Sequence, residues 1–217
     1  MDIVHAFSID NIRFIIEGFY MTLKVALISI ILSFIVGCVV GTLRYTKMPV
    51  VSPILGIGVE LIRNLPLLLI IFFARFALPD IGIKLGPMNA TIVALTLFEG
   101  AMIAEIVRSG LLSIDKGQIE AARSSGLGYV QTLWHIVMPQ GLRRMLPPLV
   151  SQFISLLKDT SLAIVISLPE LMHHAKIVIG QSYSYTMPIL FLVAVLYFAV
   201  NYALSLAARR MEARIVQ

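Results

Sequence analysis

Glu60, Arg63, Glu99, Glu105, Arg108, Gln152, Ser155 and Asp159 stand inside or beside stretches that are otherwise almost wholly apolar. A charge at the centre of a membrane helix is costly, roughly 2.5–3.5 kcal/mol on insertion scales, so each needs a partner or a wet path. Glu60 with Arg63, and Glu105 with Arg108, lie three residues apart on a shared helical face, which suits structural ion pairs. Glu99 has no such neighbour and is a candidate for an inter-helix hydrogen bond or a cavity wall. Gln152 and Asp159 are seven apart, two turns along one face, with Ser155 between them. A polar stripe of this kind is expected where a membrane helix lines a water-filled path. The alternative is a structural cluster of Lys158, Asp159, Thr160 and Ser161.

Binding and passage of a solute fit these residues better than bond-making chemistry. Cys38 is the one cysteine, set in an apolar run, which excludes an intrachain disulfide and a cysteine-based metal cluster. His5, His135, His173 and His174 have no metal-like spacing and read as solvated or interfacial. No Gly-x-x-x-x-Gly-Lys-Ser/Thr segment occurs, so the chain cannot hydrolyse ATP itself.

The elements that must position these side chains are membrane helices. The chain has 217 residues, 59% hydrophobic and 13% charged; a soluble domain carries about twice that charged fraction. A hydrocarbon core of ~30 Å needs ~20 mostly apolar helical residues. Five spans are expected: Val25–Leu43, roughly Val51–Phe73, Asn89–Val107, Leu146–Ile166, and one from about Thr186 to Ala208. Asn64 and Pro66 are positioned to bend the second. Gly37 and Gly41 make a small-xxx-small pair that permits close helix contact on the first. Residues 1–18 read as an amphipathic external lead-in forming a short helix, 19–210 as one transmembrane domain, and 211–217 as a cytoplasmic tail. The start, with Asp2, Asp10 and Glu17 against Arg13, is no basic leader, so the first apolar run is expected to be a retained helix.

With the amino terminus outside, the inner segments hold ten basic residues: Arg44, Lys47, Arg108, Lys116, Arg123, Arg143, Arg144, Arg209, Arg210 and Arg214. The outer segments hold four, Arg13, Arg75, Lys84 and Lys176. Positive charge concentrates on the cytoplasmic side of membrane proteins. The net charge of +5 is therefore a topology signal, and no nucleic-acid partner is expected.

The longest inner connection, about 111–142, is polar and broken by glycines. Gln118–Ser125 should form a helix with Glu120 near its start, where a negative charge complements the dipole. Gly126 and Gly128 should turn the chain. A second helix is expected over Tyr129–Met138, with Val130, Leu133, Trp134 and Val137 on one face, stopped by Pro139. From periodicity alone, an interfacial hairpin that merely joins two spans fits as well as a docking element.

Glu120, Ala121, Ala122, Gly126, Ile136 and Pro139 fall at the spacing of the EAA loop of ABC-importer permeases. The runs ELIRNLPLLL (60–69), FEGAMIAEIVRSGLLSIDKGQIEAA (98–122) and LLKDTSL (156–162) also resemble that family's polar amino-acid branch, in the right order along the chain. The resemblance implies an all-α, polytopic, type I importer fold in a bacterial cell membrane. It implies that Glu120, Ala121, Ala122, Gly126, Ile136 and Pro139 form the coupling element that seats in a cytoplasmic ABC ATPase. It further implies a second permease copy or homologue, an external amino-acid-binding protein, lipid around the spans, and ATP and Mg held only by the ATPase. Family members that carry cationic amino acids have acidic side chains on the stripe of the fourth span. Here Gln152 is neutral while Asp159 is kept, and Phe98–Glu99 is similar to glutamate/aspartate permeases, so an acidic or amide substrate is implied. On this reading Glu99, Gln152, Ser155 and Asp159 line the substrate path. A membrane scaffold, or a carrier driven by protons rather than ATP, would share the hydropathy but not these motifs.

Overall fold

The computed structural model describes residues 2–216, with side chains placed through Arg210. The side chains of the expected tail at 211–217, and Gln217 altogether, lie outside the described residues. Every regular element among the described residues is helical. The principal helices are α1 (Ile3–Ala6), α2 (Ile9–Tyr45), α3 (Val51–Arg63), α4 (Leu67–Phe72), α5 (Pro87–Leu112), α6 (Lys116–Ser124), α7 (Tyr129–Thr132), α8 (Met138–Asp159), α9 (Leu171–Ile179) and α10 (Thr186–Val216).

Only Ile3–Ala6 of the lead-in forms a separate short helix, α1; from Ile9 onward the lead-in is continuous with the first span. Ser8 caps α2, its Oγ accepting from the Asn11 amide at 3.4 Å, and the helix then runs 37 residues without a proline. At 1.5 Å per residue that is about 55 Å, well beyond the hydrocarbon thickness. Its first turns stand on α9, where Ile15 packs with Leu171, Ala175 and Val178. There His174, expected to be solvated or interfacial, is only 8% exposed. Its Nδ1 lies 2.6 Å from the Phe14 carbonyl, and its ring stacks on Phe14 at 3.9 Å. The bond joins positions 160 residues apart, which no local pattern announces.

The second span is broken rather than continuous. Between α3 and α4 the axis turns by 101°. Pro66 has no amide hydrogen to continue α3 and pushes the preceding residue away from helical geometry. Asn64 Nδ2 closes the freed end by donating to the Glu60 carbonyl at 2.7 Å. Among the described residues four helices are long and apolar enough to cross a membrane, and this bent pair makes a fifth if its two arms count as one span.

Pro139 does not stop its helix. The chain is helical from Tyr129 through Ile166, 38 residues in all. A π-helical turn at Leu133–Val137 precedes the proline. Its wider i→i+5 pattern takes up the hydrogen bond that proline cannot make, so the helix continues.

Helices α2 and α5 pack together more extensively than any other pair among the described residues. A Cβ on Gly41 would lie 2.5 Å from the Ala104 carbonyl oxygen, and one on Gly37 would collide with the Ile103 side chain. The small-xxx-small pair is therefore a contact surface. Further along, Ala90, Ala94 and Leu95 of α5 pack with Val25, Ile71 and Ala163, which holds the α4 arm of the broken span, while Val59 holds the α3 arm against Ala101 and Ala104. Gly41→Val is expected to destabilise the fold by about 1–3 kcal/mol, as overpacking does. Gly58→Ala, with nothing within 4 Å of the added carbon, should be neutral or stabilising by up to about 1 kcal/mol. Thermal melts in detergent compare the two; equal melting points would refute the close α2–α5 contact.

Candidate functional site

The hairpin between α5 and α8 is built by local capping. Asp115 Oδ1 accepts from the Gly117 amide at 2.7 Å and opens α6. Glu120 therefore sits in mid-helix rather than near the start, and Asp115 supplies the dipole complement. The Asp115–Lys116–Gly117 signal was present in the sequence as an N-cap type ahead of a helix former. Gly126 ends α6 at φ +88°, a left-handed turn that side chains with a Cβ rarely adopt. Arg123 Nη1 donates to the Leu127 carbonyl at 2.9 Å across that turn. Gln131 Oε1 then accepts from the Gly128 amide at 2.8 Å and starts α7.

Two contacts with no local signal brace the hairpin against the bundle. Gln140 Nε2 donates to Gln118 Oε1 at 2.6 Å, and Arg144 Nη1 donates to the Ser113 carbonyl. Glu120 and Ala121 are exposed, while Ala122 is 6% exposed and faces inward. Of the two alanines, Ala121 is thus the exposed one. Pro139 is exposed and Ile136 half-buried. The expected apolar face divides: Leu133 and Val137 pack with Leu111 and Ile114, whereas Val130 and Trp134 are 63% and 62% exposed. An exposed Trp beside Val and Tyr129 is apolar surface that this chain leaves uncovered.

The intramembrane residues meet across α5 and α8. Glu99 is fully buried, and its Oε2 accepts from Gln152 Nε2 at 2.6 Å. Asp159, two turns on along α8, adjoins Glu99, and Ser155 adjoins Asp159. All four expected path residues therefore lie together; Gln152, Ser155 and Asp159 are half-buried, and Lys158 turns outward. Glu99 Oε1 has no hydrogen-bond partner among the described residues. Gln152 also lines a cleft of about 400 Å³ that runs past Met102, Ser109 and Pro148 to Arg144 beside the hairpin.

Glu105 lies on the cleft wall and binds more than its expected partner. Arg108 grips it with Nη2 at 2.5 Å and Nε at 3.1 Å, while Arg44 of α2 reaches it at 2.8 Å. Arg63 of α3 pairs with Glu60 at 3.3 Å and stands 3.9 Å from Glu105. Three helices are thus tied by one carboxylate. The local pairs were legible as i,i+3 spacings; the Arg44 contact spans 61 positions and was not.

Residues 29–217 match the family described as binding-protein-dependent transport system inner membrane component. The chain is 66% identical over 216 residues, covering 99% of each sequence, to the probable glutamine ABC transporter permease protein GlnP of Bacillus subtilis strain 168. It is 35% identical over 205 residues, 94% of this chain and 93% of the other, to the glutamine transport system permease protein GlnP of Escherichia coli K12. A crystal structure of an amino acid ABC transporter with histidines superimposes with a TM-score of 0.88 at 27% identity, over 95% of this chain and 96% of that one.

Proposed function

The chain belongs to the binding-protein-dependent transport system inner membrane component family, and from that premise we propose that it is the glutamine-passing subunit of an amino-acid ABC importer. It is a multi-pass membrane protein that moves its solute without chemical change. A partner ATPase holds ATP and Mg and seats against the hairpin through Glu120, Ala121, Gly126, Ile136 and Pro139. An external binding protein delivers the amino acid at the opposite end, and a second permease copy or homologue completes the pathway. The charge bias supports an outside amino terminus, so the hairpin meets the cytoplasm.

The observation that carries this reading is one cleft lined both by Gln152, which binds Glu99, and by Ser113 and Arg144, which brace the exposed, glycine-turned hairpin. Movement of the hairpin is transmitted to α5 and α8 through Arg144 and Gln140. Nucleotide binding to the ATPase shifts the balance between two packings only if it favours one of them, and a rigidly braced hairpin is a means to that difference. Among amino acids, the amide is favoured by two observations. The neutral Gln152 pairs with Glu99, leaving one carboxylate fewer facing the cleft than a cation would need, and the relatives above carry glutamine in their names.

Proteoliposomes holding the permease, its ATPase and its binding protein test this directly, with glutamine, glutamate, aspartate, cystine and arginine offered in turn. ATP-dependent glutamine uptake is expected to exceed the others. Gln152→Ala is expected to lower glutamine uptake by about tenfold, or to alter the order of substrates, while the complex still assembles, since one charge-assisted hydrogen bond is lost. Unaltered kinetics for all five solutes would remove Gln152 from the path, and uptake without ATP would replace the importer by a secondary carrier.

A further inference from the structure

We infer that the groove between the ends of α2 and α5 and the helices α6 and α7 is a site for the headgroup of an anionic phospholipid, whose phosphate is held by Lys47 and Lys116. Such a site is independent of which solute crosses the membrane.

The groove has a volume of about 280 Å³, and its lining includes Tyr45, Lys47, Leu112, Lys116, Ile119 and Tyr129. Both lysines are exposed, and none of the ion pairs among the described residues engages either of them. No acidic side chain among the described residues lines the groove. Asp115 is committed to the Gly117 amide at 2.7 Å. Glu120, one turn along α6 from Lys116, forms no ion pair with it. Arg123, two turns on from Lys116, borders a smaller cavity that shares Tyr45, Ile119 and Tyr129 with the groove. Three positive charges thus converge without a counter-charge, and a phosphate oxygen is the acceptor that ammonium and guanidinium groups bind most strongly.

The backbone at Lys47 points the same way. Lys47 follows Thr46, the residue that closes α2, and has φ +53°. Glycine is the usual occupant of that left-handed position, because a Cβ is crowded there. A lysine held in strained geometry is a sign of a side chain kept for what it binds.

Location selects lipid as the source of the phosphate. The charge bias places these helix ends at the cytoplasmic surface. Anionic lipid in the cytoplasmic leaflet attracts basic side chains, each lysine or arginine adding about fivefold to binding. Tyrosine gathers at headgroup depth, where its ring and hydroxyl are both satisfied, and Tyr45 and Tyr129 both line the groove. The edge is apolar: Leu112 is 46% exposed, and Met48 and Val50, in the connection after Lys47, are 45% and 65% exposed. Acyl chains cover such an edge, whereas a free inorganic anion leaves it bare. Glu120 and Ala121, proposed above to meet the ATPase, are not among the groove's lining residues.

The test titrates the purified permease–ATPase complex in a neutral detergent and reads its melting temperature. Phosphatidylglycerol is expected to raise it saturably. Phosphatidylcholine with the same chains should need at least about tenfold more, and inorganic phosphate at equal concentration should give no shift. Lys47→Gly and Lys116→Gln should each raise the phosphatidylglycerol midpoint about fivefold, and together about twentyfold. Arg143→Gln removes an exposed charge outside the groove and should leave the midpoint within about twofold. Glycine suits the left-handed turn, so Lys47→Gly should melt no lower than the parent without lipid and decides the matter even if Lys116→Gln fails to fold. Equal midpoints for the two lipids overturn the site, as does a midpoint for Lys47→Gly within about twofold of the parent. An equal rise for Arg143→Gln overturns it in favour of general attraction to the membrane surface, and a matching shift from inorganic phosphate in favour of a free-anion site. Loss of the ATPase from the double variant, with the lipid midpoint unchanged, would give the groove to the ATPase instead.

Discussion

A chain with valine at position 126 is expected to insert and fold its spans yet lose nearly all ATP-driven uptake. Gly126 adopts φ +88° at the tip of the hairpin, with nothing within 4 Å of an added Cβ. Space is therefore not the obstacle; the backbone angle is. A β-branched residue held there costs of order 1–3 kcal/mol. The cheapest escape is to let the turn take an ordinary right-handed conformation. That swings α6 away from α7 and breaks the Arg123–Leu127 bond across the turn. Glu120 and Ala121 would then point elsewhere, and the surface offered to the ATPase would be lost. Uptake in proteoliposomes should fall by a factor of ten or more. Gly126→Asn, a residue that tolerates left-handed geometry, should retain most activity. Equal loss in both variants would show that the turn angle is not what matters.

Glu99→Ala should have the second large effect, and Glu99→Gln separates its causes. Glu99 is fully buried and accepts the one hydrogen bond from Gln152 that joins α5 to α8 at this depth. Alanine deletes the acceptor, leaves a space beside Asp159, and strands the Gln152 amide, a loss of about 1–3 kcal/mol. Glutamine keeps the volume and an acceptor for the bond, so its melting temperature should stay near that of the parent. Uptake is expected to drop about tenfold or more in both variants, because a substrate ammonium or amide passing Gln152 loses the Glu99 carboxylate in each. A Glu99→Gln chain that transports normally would reduce Glu99 to a structural tie between helices.

Both predictions depend on features that differ in how far they could be read in advance. The Gly126 turn follows from residue type alone, since a glycine between two polar helical runs marks a left-handed stop. Pro139 was read by the same logic and misled, because the π-helical turn before it absorbs the missing hydrogen bond. Whether proline ends a helix depends on what the preceding turn can do, and packing of Leu133 and Val137 against Leu111 and Ile114 holds that turn in place. The broken second span was signalled by Asn64 and Pro66, but its angle was not. Two packed arms, anchored separately at Val59 and at Ile71, set the 101° turn. The lead-in shows the reverse case. An amphipathic stripe was present from Ile9, yet no breaker separates that part from the first span, so the two form one helix and only Ile3–Ala6 stands apart.

Taken alone, the amino-acid order determined the membrane class, the all-helical fold, the number of crossings, the glycine turn of the hairpin and the local i,i+3 ion pairs. Each of these is decided by hydrophobicity or by interactions within a few residues, and such forces are written in adjacent letters. Only tertiary structure decided that Glu99 meets Gln152, that Arg44 joins Glu105, that His174 is buried on Phe14, and that Arg63 Nε is buried without a partner among the described residues. Those pairings join positions 53 to 160 residues apart in the first three cases. Their geometry exists only after close packing at Gly37 and Gly41 has set how near the helices can come.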